Sequence, residues 1–161
     1  MSMEARQRVA NSPKMYYTSS TQKADLLDPK KTNTYLIAML EWQIDNSYLQ
    51  ILVLAINSDH SPSGQHVVGC AIDCYPQNWA TGEQTTCTDM MKGFAKNPFC
   101  EAVGLGGITK RWKGNVQWPP PSDCFVVFDD NDTDHIHASC ANAVDPPGAR
   151  AKKMGYTKYT G

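Results

Sequence analysis

All four histidines of this 161-residue chain lie in two short stretches. His60 and His66 sit in Ser58-Asp59-His60-Ser61-Pro62-Ser63-Gly64-Gln65-His66, and His135 and His137 in Asp134-His135-Ile136-His137. Asp73 follows seven residues after His66, beyond the small residues Gly69 and Ala71. Imidazole nitrogens and carboxylate oxygens are donors that zinc takes at about 2.0–2.2 Å, and a catalytic zinc uses three protein ligands and keeps a fourth position for water. His66, Asp73 and His137 are the expected set, one zinc per chain, with His60 as the alternative to His66. A hydrolytic site also needs a general base and a group that stabilises developing negative charge. Asp134 is the best-placed carboxylate for the first role, with Asp132 as its rival, and His135 suits the second.

Such a site needs strands to aim its side chains. In an extended segment alternate residues share a face, so His135 and His137 point the same way while Ile136 turns to the core. The same alternation over Val67 to Cys74 predicts a strand with Val68, Cys70 and Ile72 on one face and Val67, Gly69, Ala71 and Asp73 on the other, where the small residues leave room beside the carboxylate. Upstream, Asn33 or Thr34 can cap a helix whose Leu36, Ile37, Leu40 and Ile44 recur at helical spacing. The apolar run Tyr48 to Ile56 has the length of a buried strand. Cys87, Met90, Met91, Phe94 and Ala95 give one apolar face to a helix over Glu83 to Lys96, ended at Asn97-Pro98. Phe99 to Leu105 and Cys124 to Phe128 are further strand candidates. The pattern predicts an α+β domain with a small, mainly antiparallel sheet and helices packed on one side.

The domain is expected over 23–143, between a loose or partner-docked N-terminal arm at 1–22 and a basic tail at 144–161 that carries Arg150, Lys152, Lys153 and Lys158. A formal net charge of −1 gives no electrostatic case for nucleic acid. No apolar run is long enough to span a bilayer. The first twenty residues carry charges where a secretory signal needs an apolar core, so the chain is expected to be soluble and cytoplasmic as synthesised. The six cysteines permit three disulfides, but buried thiols are the first expectation, and the lack of any CxxC pair disfavours a cysteine-bound metal. Asp129 to Asp134 lacks the glycine and distal glutamate of an EF-hand calcium loop. Trp79, Trp112 or Trp118 could flank a shallow cleft.

The run His66-Val67-Val68-Gly69-Cys70-Ala71-Ile72-Asp73 resembles the HxxGxAxD motif of the LAS-type zinc peptidases, which include D-alanyl-D-alanine carboxypeptidases and phage endolysin-like domains. Asp134-His135-Ile136-His137 resembles their closing HxH motif. The resemblance, over roughly residues 28–139, implies a LAS-type fold, zinc on His66, Asp73 and His137, a base at Asp134, and peptidoglycan peptides as substrate, reached at the cell wall after release or as part of a phage particle. Asp134 stands where Glu is commoner and Gly64 where Ser is usual. The alternative is a structural or binding module of a phage particle that keeps the peptidase fold, with or without metal, and docks through its terminal extensions.

Overall fold

The computed structural model describes residues 3–59, 64–77, 84–106, 125–129 and 135–140. They form an α+β fold around one mixed sheet. In chain order the elements are α1 (Met3–Ala10), β1 (Met15–Tyr17), α2 (Ser20–Leu27), α3 (Thr34–Asn46), β2 (Ile51–Ala55), α4 (Gly64–Val67), β3 (Ala71–Pro76), α5 (Gln84–Lys96), β4 (Ala102–Gly106), β5 (Phe125–Asp129) and β6 (His135–Ser139). The sheet order is β1-β2-β3-β6-β4-β5. The central pairings β2–β3, β3–β6 and β6–β4 are antiparallel, as expected, but the outer pairings β1–β2 and β4–β5 are parallel.

Period-two alternation divides the labour between the sheet's two faces. Ile51, Val53, Ile72, Cys74, Val103, Ile136 and Ala138 enter one hydrophobic core, shared with Leu36, Met39 and Leu40 of α3 and Met90, Met91 and Phe94 of α5. Asp73, His135 and His137 alternate with those residues and so fall on the other face. Asn33 caps α3 as anticipated, its Oδ1 accepting from the N–H groups of Tyr35 and Leu36 at 2.9 and 3.0 Å. Asn97 closes α5 and ties it to α3 by donating from Nδ2 to the Met39 carbonyl at 2.7 Å.

Residues 3–22 correct the expectation of a loose arm. Ala5, Val9 and Ala10 of α1 join the core, and Arg6 is 2% exposed. The Arg6 guanidinium donates to the Leu26 carbonyl, Thr32 Oγ1 and the Thr32 carbonyl at 3.0, 2.8 and 2.7 Å. A short helix docked partly through a buried cation has little apolar periodicity, which is why its pattern reads as unstructured. His60, Trp79, Trp112, Trp118, Asp132, Asp134 and the tail 144–161 lie outside the described residues. Among the described residues no helix is long and apolar enough to cross a membrane.

Replacing Arg6 with Ala strands buried carbonyl groups, and the expected loss is about 2–4 kcal/mol in a urea denaturation series. A loss below about 0.5 kcal/mol, the range of ordinary surface substitutions, would show that α1 is not held this way.

Candidate metal centre

Two ligand candidates face each other across the sheet ladder. In the β3–β6 register Asp73 is directly opposite His137, and β4 places Gly104 on the far side of His137. On its other flank Asp73 pairs with Ala55 through an irregularity where Val53 to Ala55 of β2 advances two residues against one of β3. This is the signature of a β-bulge, a device that re-aims a strand. The row Ala55–Asp73–His137–Gly104 therefore sets the carboxylate and imidazole between two small residues.

His66 arrives by a route that the alternation did not predict. The expected strand from Val67 does not form: Gly64–Val67 is one helical turn, and β3 begins only at Ala71. Gly69 ends that turn at φ +70, its N–H donating to the His66 carbonyl at 3.0 Å. Any Cβ there would lie 2.5 Å from the Lys31 carbonyl oxygen and 2.7 Å from Thr32 Cα. Only glycine satisfies both the left-handed backbone and the close approach. Its carbonyl in turn accepts from the Asn33 N–H at 3.1 Å. The glycine of the sequence run thus serves a helix stop and a backbone contact, not the clearance beside Asp73 that the strand reading gave it.

These placements gather three imidazoles around one carboxylate oxygen. Asp73 Oδ1 lies 2.9 Å from His137 Nδ1, 3.3 Å from His66 Nε2 and 3.7 Å from His135 Nε2. The His66 and His137 rings meet edge-on, with centroids 5.1 Å apart. Donor atoms of His66, Asp73 and His137 all lie within 4.8 Å of one another, so these three can hold a metal ion. His66 and Asp73 are buried, while the His137 side chain is 32% exposed and opens the site to solvent.

Burial pushes the Asp73 carboxyl pKa up, but the hydrogen bonds from His137 and His66 and their positive charge outweigh it and hold Asp73 well below the usual carboxylate range. The carboxylate is therefore the form the fold prefers, as a ligand must be.

Partners that sequence inspection did not single out orient His66. Its Nδ1 donates to the Ile56 carbonyl at 2.6 Å, which turns Nε2 toward Asp73. Asn57 Nδ2 donates to the His66 carbonyl at 2.8 Å. The loop is gripped by α2: Asp25 accepts from the Ser58 N–H and hydroxyl, both at 2.7 Å, and the buried Gln22 donates to Asp59 Oδ2 at 2.7 Å and the Leu54 carbonyl at 3.0 Å. The available signal was the polar run Asn57-Ser58-Asp59 directly after a buried strand.

The sequence-predicted residues His66, Asp73, His135 and His137 are thus brought together. Asp134 and His60 lie outside the described residues. No family model matches the chain, and neither does any curated protein or solved structure.

Two outcomes follow for the metal-free chain. A lowered folded pKa stabilises above the unfolded carboxylate value near 4 and is lost as pH falls through the folded one. The stability advantage of wild type over Asp73→Asn should therefore shrink as pH is lowered from about 5 to 2 in chelator-treated urea titrations. A gap independent of pH would show that Asp73 is not held as an anion. Gly69→Ala should cost at least about 2 kcal/mol in the same titrations, because backbone atoms of residues 31 and 32 must move as well as the φ angle.

Proposed function

We propose that this chain is a zinc-dependent peptidase that hydrolyses peptide bonds of peptidoglycan. The observation that carries the reading is the convergence of His66 Nε2 and His137 Nδ1 on Asp73 Oδ1 at 3.3 and 2.9 Å. Ligands of a tetrahedral zinc at about 2.05 Å stand roughly 3.3 Å apart, which the two separations from Asp73 match to within tenths of an ångström, and all three donors lie within 4.8 Å of one another. Two imidazoles and one carboxylate make a borderline donor set suited to zinc and leave a coordination position open, as in catalytic sites. Zinc there would supply Lewis acidity, polarising the scissile carbonyl and activating water at neutral pH.

The protein's own residues carry the other requirements. His66 is fixed in tautomer by Ile56, and Asp73 is kept anionic by its imidazole neighbours. His135, on the site face of β6 with its Nε2 3.7 Å from Asp73 Oδ1, is proposed to donate toward the oxygen that gains negative charge as the peptide carbonyl is attacked. Asp134, the adjoining carboxylate in sequence, is the proposed general base that takes the proton from the attacking water and returns it to the leaving amine. The LAS-type resemblance supports the substrate class. In this chain Gly69 ends the turn that brings His66 to Asp73, a placement compatible with that resemblance.

Elemental analysis should give about one zinc per wild-type chain, with the metal lost in His66→Ala and His137→Ala. The loaded protein should release peptide termini from peptidoglycan fragments. His135→Ala should keep its zinc and lose about 10²–10³-fold in kcat, the scale of removing one oxyanion donor. A wild-type chain that takes up no zinc on resupply would sink the proposal. A zinc-loaded chain that cleaves no peptide would leave the structural module as the better reading.

A further inference from the structure

One cluster on the core face is not used by the site. Extending the β3–β6 register by one pair beyond Ala71 and Ser139 puts Cys70 opposite Cys140, and the Cys140 N–H donates to the Cys70 carbonyl at 2.8 Å. Both side chains are fully buried, on the face of Ile72 and Ala138. Both are free thiols, and the Cys70 thiol donates to the Val68 carbonyl at 3.7 Å. Asn33, the α3 cap, bridges them: its Nδ2 donates to Cys70 Sγ and its Oδ1 accepts from the Cys140 thiol at 3.5 Å.

We propose that Cys70 and Cys140 are a dithiol pair that closes to a disulfide by exchange with a low-molecular-weight disulfide, stapling β3 to β6 beside the pair Asp73–His137. Directly opposed residues of antiparallel strands have Cα atoms about 4.5–5.5 Å apart, inside the span of about 4.4–6.8 Å that a disulfide bridges. The backbone pairing is thus compatible with a disulfide, and closing it requires the Asn33 amide to give up its contacts with the two sulfurs. The other described cysteines are placed less well: Cys74 is opposite Ile136, and Cys100 lies before β4, whose Ala102 already pairs with Ser139.

The chemistry balances with a reagent such as oxidised glutathione. The Cys70 thiolate attacks one of its sulfurs, forming a mixed disulfide and expelling one glutathione thiolate. Cys140, giving up its proton, then attacks Cys70 Sγ and expels the second. The protein loses two protons and two electrons, and the glutathione disulfide is reduced to two thiols. Because both sulfurs are buried, exchange requires opening of the native fold and is fastest while the chain folds.

The bond encloses a loop of about 70 residues, so it should restrict the unfolded chain strongly. It also pins the register on which the metal centre depends. This inference is independent of the zinc reading and survives its failure.

The full chain, reduced and unfolded, is refolded with reduced glutathione alone or with added oxidised glutathione. Free thiols are then blocked with N-ethylmaleimide, and the unreduced protein is digested for mass spectrometry. With the oxidised form, a Cys70–Cys140 linked peptide should dominate, the other four cysteines should carry the blocking group, and Tm should exceed that of the reduced chain by at least about 5 °C. Cys100→Ala should retain the linkage and the Tm rise, and Cys140→Ala should lose both. Blocking groups on Cys70 and Cys140 in the oxidatively refolded wild type, or linkage of Cys140 to Cys100, would overturn the proposal without recourse to the variants.

Discussion

A buried anion is the constraint on which this fold turns. Asp73 is 7% exposed in the middle of a sheet, where an unpaired carboxylate would be costly. Imidazole nitrogens from three positions approach its Oδ1, two from β6 and one from α4. Each of those positions is set by backbone structure. His135 and His137 share a face because β6 is extended there, and His137 is opposite Asp73 because of the β3–β6 register. A one-residue slip would send both histidines into the core and Ile136 to the carboxylate. The hydrophobic residues on the core face therefore hold the polar constellation on the other face, since burying Ile72, Cys74, Ile136 and Ala138 together permits a single register.

The third imidazole depends on the N-terminal third of the chain. Arg6 holds Thr32, and Thr32 Oγ1 donates to the Asp25 carbonyl at 2.8 Å. The turn thereby fixed at Lys31–Asn33 is the surface against which Gly69 packs. Meanwhile α2 grips residues 56–59, which supply the acceptor for His66 Nδ1. Two independent braces thus meet at His66, one at the turn that ends α4 and one at the ring nitrogen turned away from the site. The segment expected to be an appendage is part of the scaffold.

What the sequence revealed follows from what residue patterns encode. Alternation exposed the shared face of His135 and His137, and helical spacing exposed α3 and α5 to within a residue of their ends. The Asn33 cap was readable because a short polar side chain before an apolar run has a local role. Two features were not readable. The α1 docking rests on a buried guanidinium bonded to carbonyl groups twenty and more residues away, which leaves no periodic trace. The interruption between His66 and Ala71 was hidden because Val67, Val68, Cys70 and Ile72 favour a strand, while Gly69 alone decides otherwise through contact with a distant backbone. The parallel edges β1–β2 and β4–β5 escaped for the same reason, since pairing sense is set by tertiary connections.

The three donors differ in how firmly they are held. Asp73 and His137 stand on adjacent strands joined by ladder hydrogen bonds and backed by the core, so their spacing is a property of the sheet. His66 stands on four residues of helix, far below the length at which a helix sustains itself. Its position is borrowed from the Ile56 and Asn57 contacts and from the Gly69 turn. Loss of those contacts would release His66 before the sheet yields, leaving a two-donor site of reduced affinity on an intact fold. A metal bound by all three residues would couple the ordering of α4 to the sheet, because it attaches the least self-sufficient element to the most rigid one. The placement of Gly69, Asn57 and α2 is thus as much a part of the candidate centre as the donors themselves.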